Sequence, residues 1–220
     1  SKVLLDTFKK FPKFNKATNI FLYEKSELLR KTQKKKIKDK KVKWIKNFDY
    51  IKEGPIIFIG NEFFDAIPIK QFLKEKTIFN EKCYTINSNE IHETYRKARP
   101  GDISILKSFK VLNGLKFIEY PKLGFLELDK VVHKISSLSG GILLIDYGYL
   151  NIINKNTLQA VKENKKVNMN SIFKNLGKVD ITSLVNFSLL KEYFTKNNLK
   201  VKKVVSQKFF LEKMGIIERA

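Results

Sequence analysis

Apolar positions mark out a short series of elements along the chain. Val3, Leu4, Phe8 and Phe11 recur at helical spacing, and Pro12 is expected to close that first helix. Asn19 to Tyr23 reads as a brief apolar strand; Glu24 follows, and Ser26 is an N-cap candidate for a helix carrying Leu28, Leu29 and a run of lysines. Val42 to Ile45 suits a second short strand. After Gly54-Pro55, the run Ile56-Ile57-Phe58-Ile59 reads as the clearest buried strand of the first half and leads directly into Gly60-Asn61-Glu62-Phe63-Phe64-Asp65. Ile69 to Leu73 and Lys82 to Ile86 are expected to be the arms of a hairpin around Asn80, followed by a polar stretch from Asn87 to Gly101. Leu128, Val131, Val132, Ile135 and Leu138 define one helix face, ended by Gly140-Gly141. Ile142 to Ile145 is then a second fully apolar strand, which stops at Asp146-Tyr147-Gly148. Phe187, Leu190 and Phe194 form a further helical stripe, Leu199 to Val205 alternates as a strand, and Gln207 to Met214 reads as helix.

Short apolar strands alternating with amphipathic helices predict an α/β fold whose mostly parallel sheet is covered on both faces. One domain over 1–220 is expected, with 69–118 as a hairpin-containing insertion beside the sheet. In such sheets ligands bind beyond the carboxyl ends of the strands. Three strand ends here carry acids or amides: Glu24, then Asn61 with Glu62, then Asp146. Each could simply cap a following helix; three together favour a site.

Composition narrows the class. A chain of 220 residues with 43% hydrophobic content can bury one sizeable core. No apolar run approaches the roughly 20 residues of a membrane-spanning helix, so membrane insertion is not expected. The single cysteine, Cys83, permits no internal disulfide and, with His92 and His133, makes no convincing four-ligand metal set. It lies in an alternating run and reads as a structural thiol in a reducing compartment. The net charge of +22 could attract phosphate or anionic lipid. The densest basic stretch, Arg30 to Lys43, has no aromatic before Trp44 on which a base could stack, which favours a solvated helix face and loop over nucleic-acid binding.

A ribose diol needs an acceptor that takes both hydroxyl hydrogens, and a carboxylate at a strand's carboxyl end supplies one. Glu24 is the candidate, and on that ground alone it suits a nicotinamide or a methionine-bearing adenosine cofactor equally. The glycine turn that would decide is absent: none of the ten glycines makes a G-x-G pair, and there is no G-x-x-x-x-G-K. Either the cofactor has no phosphate to cradle or the turn precedes Ser1, and both are expected to hold. Asn61 to Pro68 is the most informative segment, because two acids and an amide lie just beyond an apolar strand, where polar groups are costly to keep for packing alone. Paired carboxylates suit a guanidinium, which must be oriented and charge-balanced; Glu62 and Asp65 could hold it.

Gly60-Asn61-Glu62-Phe63-Phe64-Asp65-Ala66-Ile67-Pro68 resembles the N-E-F-F-D-A-[LI]-P signature of the MidA-like methyltransferases, and Ile145-Asp146-Tyr147-Gly148 resembles their I-D-Y-G segment. Thr157-Leu158-Gln159-Ala160, Gly177-Lys178-Val179-Asp180-Ile181-Thr182 and Val185-Asn186-Phe187 are similar to T-L-Q-A, G-E-A-D-[LI]-T and V-D-F in the same order. The resemblance runs from about Asp6 to Arg219. It implies a Rossmann-like class I fold, S-adenosylmethionine as methyl donor and, for the mitochondrial member, symmetric dimethylation of an arginine in a complex I subunit. By the same resemblance Glu24 would bind the cofactor ribose, Phe48 and Asp49 would approach adenine, and Asn61 and Glu62 would lie at the transfer site with Asp65. Asp146, Tyr147, Asp180 and Thr182 would face the substrate. Lys178 and Asn186 depart from the acids of the pattern, and the family's glycine-rich turn and C-terminal part are expected outside this chain. A protein acceptor in bacterial cytoplasm or mitochondrial matrix follows from that reading. Two others stand beside it: a basic Rossmann-like module binding RNA or a protein partner without catalysis, and a chaperone-like assembly protein.

Overall fold

The computed structural model describes residues 2–87, 90–151, 153–163, 165–167 and 177–219. The chain forms two compact units, Ser1–Ile56 with Lys134–Ser139, and Ile57–His133 with Gly140–Ala220.

In the first unit, α1 (Lys2–Lys9) and α2 (Pro12–Ala17) precede β1 (Ile20–Tyr23), α3 (Glu27–Lys36) and β2 (Val42–Ile45). Pro12 opens α2 rather than closing the helix before it: in the first turn its missing N–H would have had no partner in any case, and its fixed φ suits the helix. The predicted cap of α3 is present, with the Ser26 hydroxyl accepting from the Leu29 N–H. β1 and β2 pair in parallel, Ile20 opposite Val42 and Tyr23 opposite Ile45. Leu5, Ile37 and Val42 form the buried centre of this unit, with Ile20, Leu22 and Trp44 packed around it.

The second unit carries the larger core. β3 (Ile56–Asn61) adjoins β8 (Gly140–Ile145). Main-chain N–H groups of Ile56 and Glu62 donate to the carbonyls of Ser139 and Ile145, so the two strands run parallel. β4 (Lys70–Glu75), β5 (Ile78–Asn87), β6 (Glu90–Lys97) and β7 (Phe117–Tyr120) make an antiparallel sheet in the order β6-β5-β4-β7. Helix α4 (Pro100–Ser108) lies between β6 and β7 in sequence, and α5 (Lys122–Leu138) follows β7. On α5, Leu128, Val131, Val132 and Ile135 are buried, as their spacing predicts. A short β9 (Gly148–Tyr149) pairs in parallel with β13 (Val185–Asn186), while β10 (Gln159–Lys162) lies antiparallel between β11 (Lys165–Val167) and β12 (Asp180–Thr182). Two helices close the described chain, α6 (Phe187–Lys196) and α7 (Gln207–Lys213).

The architecture is therefore mixed α/β with parallel pairs, and the four-stranded antiparallel sheet falls almost wholly within the stretch 69–118 expected to stand beside the main sheet. Among the described residues parallel pairing is confined to two-stranded sheets, and the three- and four-stranded sheets are antiparallel. The hairpin turns at Lys76-Thr77, not at Asn80, which pairs with Leu73 within the ladder. A two-residue connection needs positive φ, and Lys76 supplies it at 54°. The polar stretch after Asn87 contains strand β6, whose alternation is muted because both of its faces are largely exposed. β3 is not buried on both sides: Ile57 and Ile59 are 74% and 53% exposed. Residues 201–206 form no strand, because alternation alone provides no neighbour with which to pair.

Candidate functional site

In the first unit, Glu24 sits just past the carboxyl end of β1. Its Oε1 accepts from the Ser26 N–H at 2.8 Å and its Oε2 from Gln33 Nε2 at 3.1 Å; Gln33 Oε1 in turn accepts from Trp44 Nε1 at 3.0 Å. The carboxylate is thus fixed by α3 and β2 while remaining half-buried, with lone pairs to spare. Phe48 is buried and its ring lies 4.6 Å from that of Tyr23, which brings the turn at 48–50 to the end of β1. Asp49 is exposed; its N–H is capped by Asn47 Oδ1 at 3.1 Å.

In the second unit, the end of β3 meets the end of β8. Glu62 adopts φ of 50°, its N–H donating to the Ile145 carbonyl at 2.9 Å, so the main chain turns sharply while the side chain stays in solvent beside exposed Asn61. A non-glycine residue in this left-handed region is uncommon, and such strain concentrates at functional positions. Asp146 clamps the turn: its Oδ2 accepts from the Phe64 N–H and its Oδ1 from the Tyr147 N–H, each at 2.8 Å. Burial pushes the Asp146 carboxyl above its ordinary range, and the neighbouring Asp65 charge adds to the rise against those N–H donors. Asp65 Oδ1 is buried without a hydrogen-bond partner, and the Asp65 carbonyl accepts from the Ser183 N–H at 3.0 Å.

The 61–65, 145–147 and 183–185 segments therefore converge. Tyr147 is 64% exposed, and its carbonyl accepts from the Val185 N–H at 2.8 Å. Asp180 and Thr182 lie on β12, Asp180 exposed and Thr182 accepting from Gln159 Nε2 at 3.1 Å. Gly148 permits β9 to approach β13: a Cβ there would lie 2.1 Å from the Val185 carbonyl oxygen and 2.7 Å from Phe187. Gly148→Ala is expected to destabilise the protein by about 1–3 kcal/mol; an unchanged urea midpoint would show that the strand pair relaxes freely.

Some of the groups that hold this region together have no sequence motif. Glu119 on β7 accepts from the Thr157 N–H at 3.0 Å and from its hydroxyl, and Gln71 donates to the same carboxylate at 2.8 Å; Thr157 Oγ1 also accepts from the Leu184 N–H at 3.0 Å. Thr157 thus fastens the 183–185 segment to the antiparallel sheet. Phe125 stands at the centre of an aromatic cluster, its ring 6.1 Å from Phe64, 5.2 Å from Tyr120 and 4.6 Å from Tyr193. Gly124 leaves room for Phe64, since a Cβ there would fall 2.6 Å from its ring. The only sequence signal for this packing is the unbroken aromatic pair Phe63-Phe64 after a strand.

A family model described as "Putative S-adenosyl-L-methionine-dependent methyltransferase" matches residues 1–205. The chain belongs to that family. Among curated proteins, this family member is 28% identical over 191 residues to the Caenorhabditis elegans "Protein arginine methyltransferase NDUFAF7 homolog, mitochondrial", covering 80% of this chain and 41% of that protein. It is 24% identical over 175 residues to the Xenopus tropicalis "Protein arginine methyltransferase NDUFAF7, mitochondrial", covering 79% and 39%. The chain thus spans about two-fifths of the length of these relatives. A Burkholderia thailandensis structure, described as a "likely methyl transferase" bound to S-adenosyl-homocysteine, shares the fold with a TM-score of 0.71 at 20% identity, over 91% of this chain and 54% of that one. A native structure of an uncharacterised protein from the same organism gives a TM-score of 0.72 at 19% identity, over 91% and 56%.

Proposed function

We propose that this methyltransferase-family protein transfers a methyl group from S-adenosylmethionine to an arginine of a protein acceptor, with a respiratory complex I subunit the candidate acceptor in mitochondrial matrix or bacterial cytoplasm. In this reading the fold is a Rossmann-like class I methyltransferase, and 69–118 is an insertion beside its sheet. The observation that carries the proposal is the turn beyond β3, where Glu62 takes positive φ and Asp146 clamps the Phe64 N–H, within a chain whose residues 1–205 match the family. Glu24 is held at the end of β1, and Glu62 is held at positive φ at the end of β3.

The methionine-linked nucleoside fits the first of these. Glu24 is locked by donors on one side and half-exposed on the other, the arrangement a ribose diol needs. Asp49 is the exposed polar group on the turn after β2, and buried Phe48 shapes that turn from beneath. The bound cofactor would supply the electrophilic methyl carbon. Asn61 and Glu62 would orient the acceptor nitrogen, Glu62 balancing the guanidinium charge, and Asp65 and Asp146 would deepen the negative field there. Tyr147, Asp180 and Thr182 would contact the acceptor chain.

Calorimetric titration of the full-length protein with S-adenosylmethionine is the test. Saturable binding that weakens at least about tenfold on Glu24→Ala supports the assignment, a loss of about 1.4 kcal/mol or more. Binding that is undiminished by the substitution removes Glu24 from the cofactor site.

A further inference from the structure

Helix α3 rests on one side only. Arg30 and Gln33 are half-buried, none of its residues is fully buried, and Leu28 and Leu29 are 75% and 53% exposed. At 100° per residue, Lys31, Lys35, Leu28, Thr32, Lys36 and Leu29 follow one another around about 160° of the outer surface. All six are exposed. The helix has a single acid, Glu27, at its N-terminus and 4.0 Å from Arg30. Lys38, Lys40 and Lys43 extend the exposed positive charge into the loop and strand that follow. The one nearby indole offers little to a nucleic-acid base: Trp44 donates its Nε1–H to Gln33, and the Lys34 ammonium stands 5.7 Å from its ring centre.

From this juxtaposition of two solvent-facing leucines and a lysine surface we infer that α3 is a peripheral docking face for an anionic lipid bilayer. The lysines would lie over acidic headgroups while Leu28 and Leu29 enter the interface, the division of labour seen when basic amphipathic helices lie in the plane of a membrane. Charge complementarity selects the surface and the leucines select lipid over a polyanion, for which exposed apolar side chains are useless. Nothing here requires a spanning segment: among the described residues no helix is long and apolar enough to cross a membrane. The inference is independent of the methyl-transfer proposal.

The measurement is co-sedimentation of the full chain with phosphatidylcholine vesicles, with and without phosphatidylglycerol, at about 0.1 M salt. Binding is expected only with the acidic lipid and falls as salt rises. The double substitution Leu28→Ser and Leu29→Ser, which leaves charge unaltered, is expected to weaken binding at least about tenfold. Lys31→Gln with Lys35→Gln is expected to weaken it about 30-fold, at roughly 1 kcal/mol per lysine. Lys200→Gln with Lys202→Gln, an equal charge change at exposed positions outside α3, should cost less than about threefold. Circular dichroism of each variant should overlay the parent, since the altered side chains are all exposed. No binding to acidic vesicles, an unaffected leucine variant, or equal losses from the two lysine pairs each overturns the inference. So does capture of single-stranded RNA that acidic vesicles fail to compete away.

Discussion

Asp102→Ala is expected to destabilise the protein by roughly 1.5–3 kcal/mol, the typical cost of losing a buried acceptor of charge-assisted hydrogen bonds. Asp102 lies in the first turn of α4 with only 2% of its side chain exposed, and it receives Lys70 at 2.7 Å and Lys122 at 2.8 Å. Lys70 also reaches Glu81 at 3.0 Å, whose other oxygen accepts from Arg96 at 3.0 Å and 3.2 Å. Removing Asp102 takes the shared carboxylate from two half-exposed lysines, of which Lys70 keeps Glu81, whereas Arg96→Gln removes a side chain that is 56% exposed and should cost no more than about 1 kcal/mol. Urea unfolding of the two variants checks the ranking, and equal midpoints would refute it. The network also fixes the acid response. Desolvation pushes the Asp102 carboxyl up, but hydrogen bonds from Lys122 and Lys70 outweigh it and hold the carboxyl below its ordinary value; Glu81 is lowered in the same way by Lys70 and Arg96. A depressed folded-state value contributes stability that is complete above the ordinary carboxylate range near about 4 and disappears as pH falls through the lowered values. The unfolding midpoint should therefore hold from neutrality to about pH 5 and drop below that, less steeply in Asp102→Ala.

Glu62→Gln in the full-length protein is expected to lower methyl transfer at least 100-fold while cofactor affinity changes by less than about threefold. Gln keeps the size of the side chain but removes the negative charge that, in the proposed reaction, would balance the acceptor cation. Single-turnover methylation and calorimetry on the same preparation separate the two quantities. Unchanged methylation would reassign Glu62 to the turn alone, where its left-handed φ and the Ile145 hydrogen bond would then be its whole role.

Much of the first unit was legible in the sequence. Ser26 as cap, β1 ending just before Glu24 and the Val42–Ile45 strand are local matters of capping and propensity, and the structure has them where the sequence places them. The α5 face and the apolar runs of β3 and β8 were equally plain. Burial was less so: the same apolar composition at 56–59 covers a strand with one well-exposed face, because composition reports what a face could bury and not what lies against it. The candidate acids were named, but not their condition. That Asp65 keeps a buried oxygen without a donor, and that Asp146 binds the Phe64 N–H from 82 residues away, could not be read from spacing.

The sequence by itself determined the types of β1, α3, β2, β3, α5 and β8, the carboxyl-end placement of Glu24, Asn61, Glu62 and Asp146, and the family, because these follow from short-range periodicity and from residues a few positions apart. Tertiary structure alone decided that the larger sheets are antiparallel, that the hairpin turns at Lys76, and that Lys70, Glu81, Arg96, Asp102 and Lys122 share one charge network. The reason is physical. Strand partners and buried ion pairs are chosen by closure and desolvation among residues tens of positions apart, and no local pattern records which of many lysines will find which carboxylate.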